Sequence, residues 1–530
     1  MAPDLLRAVC CLEAEVKIGG ELMKEKRQVQ LALLLTIGIA ATTSPASGAG
    51  FSLPNLSIGG LRLPSRAVSL STSLQRQLQG MGFQLSDARS LTSHGVTTHQ
   101  RQLTRNGIEI LGALALTHEG PAGSEAQASG AESLDAETNA SFSPFDIATD
   151  ARISSEEAAR IALGLLGDRD LSVTPQLKIL PSMQGDGSAR LIYWVTVAPR
   201  ENEAGRDVLL DANQGTLIAD LSHDIEIAPS QVLIADDKFQ VVDEGSGAPT
   251  DLDLASCPLA VDSGNALPAA DETALRADTN ARAVLKYYWT THGRDSFDDQ
   301  GSALTSVVHV GKAFNNAFWS SDRNFMAYGD GDGVFMNDLT KSLDVAGHEM
   351  THGVTSQTSQ LIYADQSGAL NEAFSDFFGV VVAAREHQTA PDWAIGKEIF
   401  ANERKLVGLR NLQNPGSILA RARDDEGQIY TKPYPAHVNE AFTTKNPCSS
   451  ANDRCFVHIN SMIPGHAMYQ IAEAIGLDKA EKLLYVTLTQ YLTKTSNFKV
   501  FRTQTLKACR QLLSSRDCTK VRNAFKVVGL

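Results

Sequence analysis

His348-Glu349-Met350-Thr351-His352 sets two imidazoles four residues apart with a carboxylate between them. On a helix, positions i and i+4 share a face, so both rings can reach one ion, and zinc accepts nitrogen ligands readily in that arrangement. Glu349 would then stand beside a metal-bound water, the layout used for metal-assisted hydrolysis. Two ligands are too few, because a catalytic zinc is held by three protein groups and keeps its fourth position for water. Twenty positions after His352, Glu372 lies in Gly368-Ala369-Leu370-Asn371-Glu372-Ala373-Phe374-Ser375-Asp376, a segment of helical composition, and is the candidate third ligand. Asp376, one turn beyond it, is expected to accept the second ring N–H of His348, and Asn371 that of His352, which would fix both tautomers.

The elements that must carry these groups follow from periodicity. From about residue 281 apolar residues recur at helical spacing over 281–291, 343–355, 368–384, 459–475, 478–493 and 498–513. One predicted helix therefore holds both histidines and the next holds Glu372. Upstream, 225–280 reads as β-rich, with runs at 231–234 and 239–242 broken by Gly and Pro. Residues 51–118 alternate short apolar runs with turn residues, as strands of a small sheet do. Residues 119–142 hold almost no large apolar side chain and predict a flexible linker. Ser154 and Glu157 fit a capping box ahead of a helix through 158–166. Strands are expected at 192–197, 208–211 and 216–219, with a turn through Asn213-Gln214-Gly215.

A chain of 530 residues implies two or three domains. A net charge of -14 argues against nucleic acid, whose phosphates need a basic face. Lys24, Lys26 and Arg27, then an apolar stretch over 31–41, then Ala46-Ser47-Gly48-Ala49 form a signal-peptide pattern starting at Met23. That stretch is too short to span a bilayer, so the expected product is exported, extracellular and not stably inserted in a membrane. Residues 1–22 do not fit upstream of such a leader and are expected to be a spurious extension, which would remove Cys10 and Cys11. In an exported protein the spacing of the remaining cysteines suggests bridges Cys448–Cys455 and Cys509–Cys518, with buried free thiols as the alternative; Cys257 is left over.

The motifs HEMTHGVT (348–355), GALNEAFSD (368–376), FNNAFW (314–319), YGDGDG (328–333) and VHINS (457–461) together resemble the thermolysin family of zinc metalloendopeptidases, in the family's order over 281–530. Residues 51–222 similarly resemble its prosegment, a thermolysin-type propeptide unit followed by a PepSY unit. The resemblance implies an α+β fold with a two-lobed catalytic domain: a β-rich lobe over 225–345 and a helical lobe over 346–530. Ahead of it would stand the leader (23–49), the propeptide unit (50–118), the linker (119–150) and the PepSY-like unit (151–224). It further implies a secreted zymogen with one Zn2+ per chain, acting on proteins or peptides. Its prosegment would serve as chaperone and inhibitor until cut near residues 224–230.

By the same resemblance Tyr363 and His458 would donate to the oxyanion, and Asp453 would orient His458. Glu349 would take the proton of water and pass it to the leaving amine, with no covalent intermediate. Asn316 and the backbone of Ala317 would pair with an extended substrate, and Arg410 would hold a substrate carbonyl. Met336, Leu339, Val345, Ile395 and Leu409 would line the pocket after the scissile bond, favouring cleavage on the N-terminal side of bulky hydrophobic residues. The family's calcium ligands are only partly present: Asp344 and Asp392 match, whereas Ala383, Ala394 and Lys397 stand where acidic groups are expected. A hard cation wants six or more oxygens, so Ca2+ is doubtful and Lys397 is expected to pair with Asp344 or Asp392. Gly347, where the family commonly has Ala, costs helix propensity. Two other functions fit parts of the pattern: a non-catalytic binding protein on this fold, and a zinc aminopeptidase, against which FNNAFW and VHINS argue.

Overall fold

The computed structural model describes residues 6–10, 82–87, 89–119, 149–167, 171–182, 188–199, 205–226, 232–234, 259–262, 265–266, 271–401 and 408–530. The expected leader, linker residues 120–148, the 239–242 run and Cys257 lie outside them.

The two upstream units share one eight-stranded sheet. Strands Phe83–Leu85, Arg89–Ser93, Val96–Arg105 and Ile108–Glu119 form one antiparallel half, and Val173–Pro181, Ala189–Val197, Arg206–Asp211 and Leu217–Ser222 form the other. The halves join where Ile108–Glu119 runs parallel to Val173–Pro181, with Glu109 opposite Lys178 and Ile110 opposite Ile179. Lys178 Nζ donates to Glu109 Oε2 across that seam at 2.8 Å. The sequence did not reveal Val173–Pro181, whose Pro175 and Pro181 lack ladder donors and so disguise a strand. Helix α1 (Ser155–Leu166) starts with half of the expected capping box: Ser154 Oγ accepts from the Glu157 amide at 3.2 Å, while the Glu157 carboxylate pairs with Arg160, and Gly167 closes the helix at φ 70°. Ala158 and Ala162 of α1 share one buried cluster with Ile110, Ile179 and Leu191 of the sheet.

The β-rich lobe is a seven-stranded sheet in the order Asp224–Glu226, Ala317–Ser320, Phe325–Tyr328, Leu304–Val308, Leu6–Cys10, Leu259–Asp262, Asn265–Ala266. Leu6–Cys10, from the segment expected to be spurious, runs parallel to Leu304–Val308 and antiparallel to Leu259–Asp262. A small sheet joins Val232–Ile234 to Ile418–Arg423 and Ile429–Pro433.

The helical part begins with α2 (Glu272–Tyr287), which starts nine residues before the apolar pattern does. Its first two turns are polar, and Asp271 Oδ1 caps it by accepting from the Ala274 amide at 2.9 Å. Helices α3 (Leu343–Gln357) and α4 (Asp365–His387) pack along one another at the centre of the main core. Nearly every residue of α3 from Leu343 to Thr355 is buried, polar ones included, so those polar groups must satisfy one another inside. Gly379 permits the approach of the two helices: a Cβ there would lie 2.4 Å from the Asp344 carbonyl oxygen.

Helix α5 (Asp453–Asn460) opens on a left-handed turn, with φ of 51°, 47°, 69° and 65° at Asp453, Arg454, Cys455 and Phe456. Such backbone costs about 1–2 kcal/mol per non-glycine residue, so the surroundings must impose it. A bridge between Cys448 and Cys455 closes this loop, and a second joins Cys509 to Cys518; both bridges are the pairs the spacing suggested. Helices α6 (Met462–Ile475), α7 (Leu477–Val486), α8 (Phe498–Leu512) and α9 (Ser515–Val527) complete the lobe. The sequence pattern missed α9, whose buried side is only a narrow stripe of Cys518, Val521, Ala524 and Phe525. Among the described residues no helix is long and apolar enough to cross a membrane.

Candidate active site

Helical spacing brings His348 and His352 onto one face of α3, and α4 lays Glu372 against them. Their ligand atoms all lie within 4.8 Å of one another, and all three side chains are fully buried. The two Nε2 atoms are 2.9 Å apart. Glu372 Oε1 is 3.3 Å from Nε2 of His352, and Oε2 is 3.6 Å from Nε2 of His348. The far sides of both rings are anchored. His348 Nδ1 donates to Asp376 Oδ1 at 2.9 Å, and His352 Nδ1 donates to Asn371 Oδ1 at 2.9 Å, with Ser375 Oγ 3.1 Å away. Each ring therefore presents an Nε2 lone pair to the same point. Two lone pairs and a carboxylate converging in a buried space are repulsive unless a cation sits among them, and two imidazoles with one carboxylate are a zinc donor set.

The surroundings tune these groups electrostatically. Burial holds His348 down to about 4 against the pull of Glu372, which keeps it a neutral ligand. Burial alone would raise the Glu372 carboxyl, but the cationic His458 overrides it and holds it well below the usual carboxylate range. Asp376 is likewise kept ionised against burial by Arg410, whose fork reaches it at 2.6 and 2.7 Å. Arg410 also approaches Glu372 Oε2 at 3.3 Å. Glu349, the residue after His348 on α3, is fully buried.

On the other side, Tyr363 donates its hydroxyl to Glu372 Oε1 and lies 3.2 Å from His458 Nε2. His458 Nδ1 donates to Asp453 Oδ1 at 2.5 Å, while the second oxygen of Asp453 accepts from the His458 amide at 3.0 Å. Burial disfavours a charged His458, but Asp453 and Glu372 outweigh it and push the imidazole up to about 9. Burial and the nearby Glu372 raise the Tyr363 phenol well above its ordinary value, so it stays a donor. The structure thus brings together His348, Glu349, His352, Tyr363, Asn371, Glu372, Asp376, Arg410, Asp453 and His458.

The other candidates sit in different settings. Asn316 Oδ1 accepts from the Ala317 amide at 3.0 Å, at the start of the strand Ala317–Ser320. Met336, Leu339, Val345, Ile395 and Leu409 are buried in the main core. At the expected calcium position Lys397 pairs with Asp392 at 2.6 and 2.8 Å, not with Asp344. Asp344 accepts instead from Ser342 Oγ at 2.5 Å and the Gly396 amide at 3.0 Å, and burial pushes its carboxyl up to about 6. Ser375 is a contact the sequence reasoning passed over, although it stands four residues after Asn371 as Asp376 stands four after Glu372. Arg454, 5 % exposed against the Tyr363 ring, gave no sequence signal.

The family model described as "Thermolysin metallopeptidase, catalytic domain" matches residues 230–356, and "Thermolysin metallopeptidase, alpha-helical domain" matches 359–530. Bacillolysin of Bacillus subtilis subsp. amylosacchariticus is 32% identical over 413 residues, covering 72% of this chain and 74% of that protein. Neutral protease NprE of Bacillus pumilus is 39% identical over 257 residues, 48% of this chain and 77% of that one. Thermolysin of Alicyclobacillus acidocaldarius subsp. acidocaldarius is 36% identical over 272 residues, 49% and 46% respectively. Among solved structures, the precursor of protealysin, a metalloproteinase from Serratia proteamaculans, matches with a TM-score of 0.45 and 34% identity, covering 51% of this chain and 82% of that one.

Proposed function

Since this chain belongs to the thermolysin family of metallopeptidases, we propose that it is a secreted zinc endopeptidase, made as a zymogen, that cleaves on the N-terminal side of bulky hydrophobic residues. The observation that carries this reading is the buried convergence of His348, His352 and Glu372, with Tyr363 and His458 beside Glu372 and a fully buried Glu349 next to His348 in the chain. His348, His352 and Glu372 would hold a zinc ion, which when bound would supply a Lewis acid and an acidified water.

The chain's own residues do the rest. Asp376 and Asn371 keep the ligand rings in the tautomer that leaves Nε2 free. Glu349 takes a proton from the attacking water and delivers it to the leaving amine. Tyr363 and the cationic His458 donate to the scissile carbonyl oxygen as charge develops on it, in a site where burial strengthens each donation. Asn316 and Ala317 align an extended substrate, Arg410 steadies its carbonyl beyond the scissile bond, and Met336, Leu339, Val345, Ile395 and Leu409 shape the apolar pocket.

Three observations support the prosegment role of residues upstream of about 224. Strand Leu217–Ser222 bonds to the Cys448 loop through Asp220 N to Cys448 O (2.9 Å) and Cys448 N to Ile218 O (3.1 Å). Trp194, Leu221 and His223 share a cavity with Tyr363 and Asn371. Asp224–Glu226 adds antiparallel to Ala317–Ser320, so the chain runs along the strand proposed to receive substrate, toward Ala317. Hydrolysis of N-terminally blocked peptides that vary the residue after the scissile bond tests the reading. Rates should rise for Leu and Phe over Gly and Asp by at least tenfold. Cleavage confined to peptides with a free amino terminus would make it an aminopeptidase.

A further inference from the structure

Resting on that reading, we infer that Arg454 is a positioning residue for the oxyanion donor Tyr363. Its guanidinium carbon lies 5.4 Å from the centroid of the Tyr363 ring, within cation–π range, and only 5 % of the residue is exposed. Arg454 Nε has no hydrogen-bond partner among the described residues, so the ring face stands in for a polar partner on that side of a buried cation. His352 and His458 set their rings nearly perpendicular to the same ring, at 6.0 Å and 88° and at 6.1 Å and 81°. The phenol is thereby held between Arg454 over its face and two imidazoles set nearly perpendicular to it, with its hydroxyl directed at Glu372 and His458.

The backbone explains why Arg454 reaches that place. Residue 454 has φ 47° and ψ 46°, inside a left-handed turn that an arginine does not adopt unaided. The turn is imposed from both ends. The Arg454 amide donates to Ser449 O at 2.7 Å, Asn452 Oδ1 accepts from the Cys455 amide at 3.1 Å, and the Cys448–Cys455 bridge closes the loop. A right-handed residue 454 would aim its side chain elsewhere, so the strained turn is what delivers the cation to the ring. A cation over the ring draws electron density from the phenol, which strengthens its O–H as a donor and holds the ring against rotation.

The test compares Arg454→Gln and Arg454→Lys in the processed protein, each with Tyr363 and with Tyr363→Phe, measuring kcat, KM and bound zinc. We expect Arg454→Gln to lower kcat about tenfold with KM within about twofold and zinc retained. Arg454→Lys should recover part of the loss, and in the Tyr363→Phe background the loss should shrink to less than about twofold. A loss of equal size in both backgrounds, a loss that tracks missing zinc, or no loss at all overturns the inference. A readout free of turnover separates it from the functional reading: ring resonances of labelled Tyr363 in the Glu349→Gln protein. Arg454→Gln should broaden or average them, which would stand even if wild type cleaved nothing; unchanged resonances overturn the inference.

Discussion

Gly379→Ala tests how the fold sets the metal site. Gly379 lies where α4 crosses α3, and a Cβ there would be 2.4 Å from the Asp344 carbonyl oxygen and 3.2 Å from the His348 amide nitrogen. Both are backbone atoms of α3, so no side chain can swing aside, and the helices must part by on the order of 1 Å to regain van der Waals contact. Overpacking of this kind costs about 3 kcal/mol, and exchanging a helical Gly for Ala returns about 1 kcal/mol, leaving about 2 kcal/mol of net destabilisation. At roughly 2–4 °C per kcal/mol, Tm should fall by about 4–8 °C. Because His348 moves with α3 and Glu372 stays with α4, zinc affinity should fall with it. Gly347→Ala is the control: its Cβ would meet Gly379 Cα at 3.0 Å and Val382 Cβ at 3.2 Å, contacts close to tolerable, and its propensity gain should hold the net change within about 1 kcal/mol. Thermal unfolding and zinc titration of both variants, in a Glu349→Gln background to prevent self-digestion, give the answer. A Gly379→Ala protein as stable and as zinc-avid as its parent would refute the close-approach argument.

Docking of residues 82–226 on the catalytic lobes should depend on pH at both ends. His118 stacks on Tyr491 at 3.9 Å and is held down to about 3 by burial and Lys507. Its depressed value stabilises docking above the free value of about 6.5 and loses that support progressively toward pH 3, about 2 kcal/mol by pH 5, so proteolytic sensitivity of the Glu349→Gln zymogen should rise below pH 6 and rise less in His118→Gln. His223 is pushed up to about 10 against burial by Asp207 of its own sheet and by Asp322 of the catalytic part; the Asp322 share supports docking while His223 is charged and is lost as pH rises toward 10, so Asp322→Asn should flatten that limb. Since the Lys397 ammonium sits on Asp392, adding calcium to chelated, zinc-restored protein should leave Tm within about 1 °C, and a marked calcium-dependent rise would contradict this. His352 has two partners on Nδ1, so Asn371→Ala and Ser375→Ala should each weaken zinc binding modestly and together by about 100-fold, as read by competition with a chelator.

The zinc group was legible because its logic is local: i and i+4 spacing fixes which residues of α3 and of α4 face the same way, whatever the rest of the chain does. Asp376 and Asn371 followed from the same helical spacing, whereas Asp453 came only from the resemblance to the family. Arg454 was not legible, because its placement depends on a left-handed turn that its residue type does not favour and that the Cys448 bridge and Asn452 impose from outside. Lys397 was expected near two carboxylates, but only packing decided for Asp392: Asp344 is enclosed and already served by Ser342 and Gly396. The strand Val173–Pro181 was hidden by its prolines, and the start of α2 by its polar first turns, since both are recognised through tertiary partners and not through their own periodicity.

The central claim is that Glu349 is the base of a zinc-dependent hydrolysis, and processed wild type beside Glu349→Gln tests it most directly, with cleavage of a blocked Leu- or Phe-containing peptide and zinc content measured on both. The account predicts about one zinc in each protein, cleavage by wild type, and a loss of at least about 1000-fold in kcat in the variant. Equal cleavage by both, or full zinc in both with no cleavage by either, would contradict it.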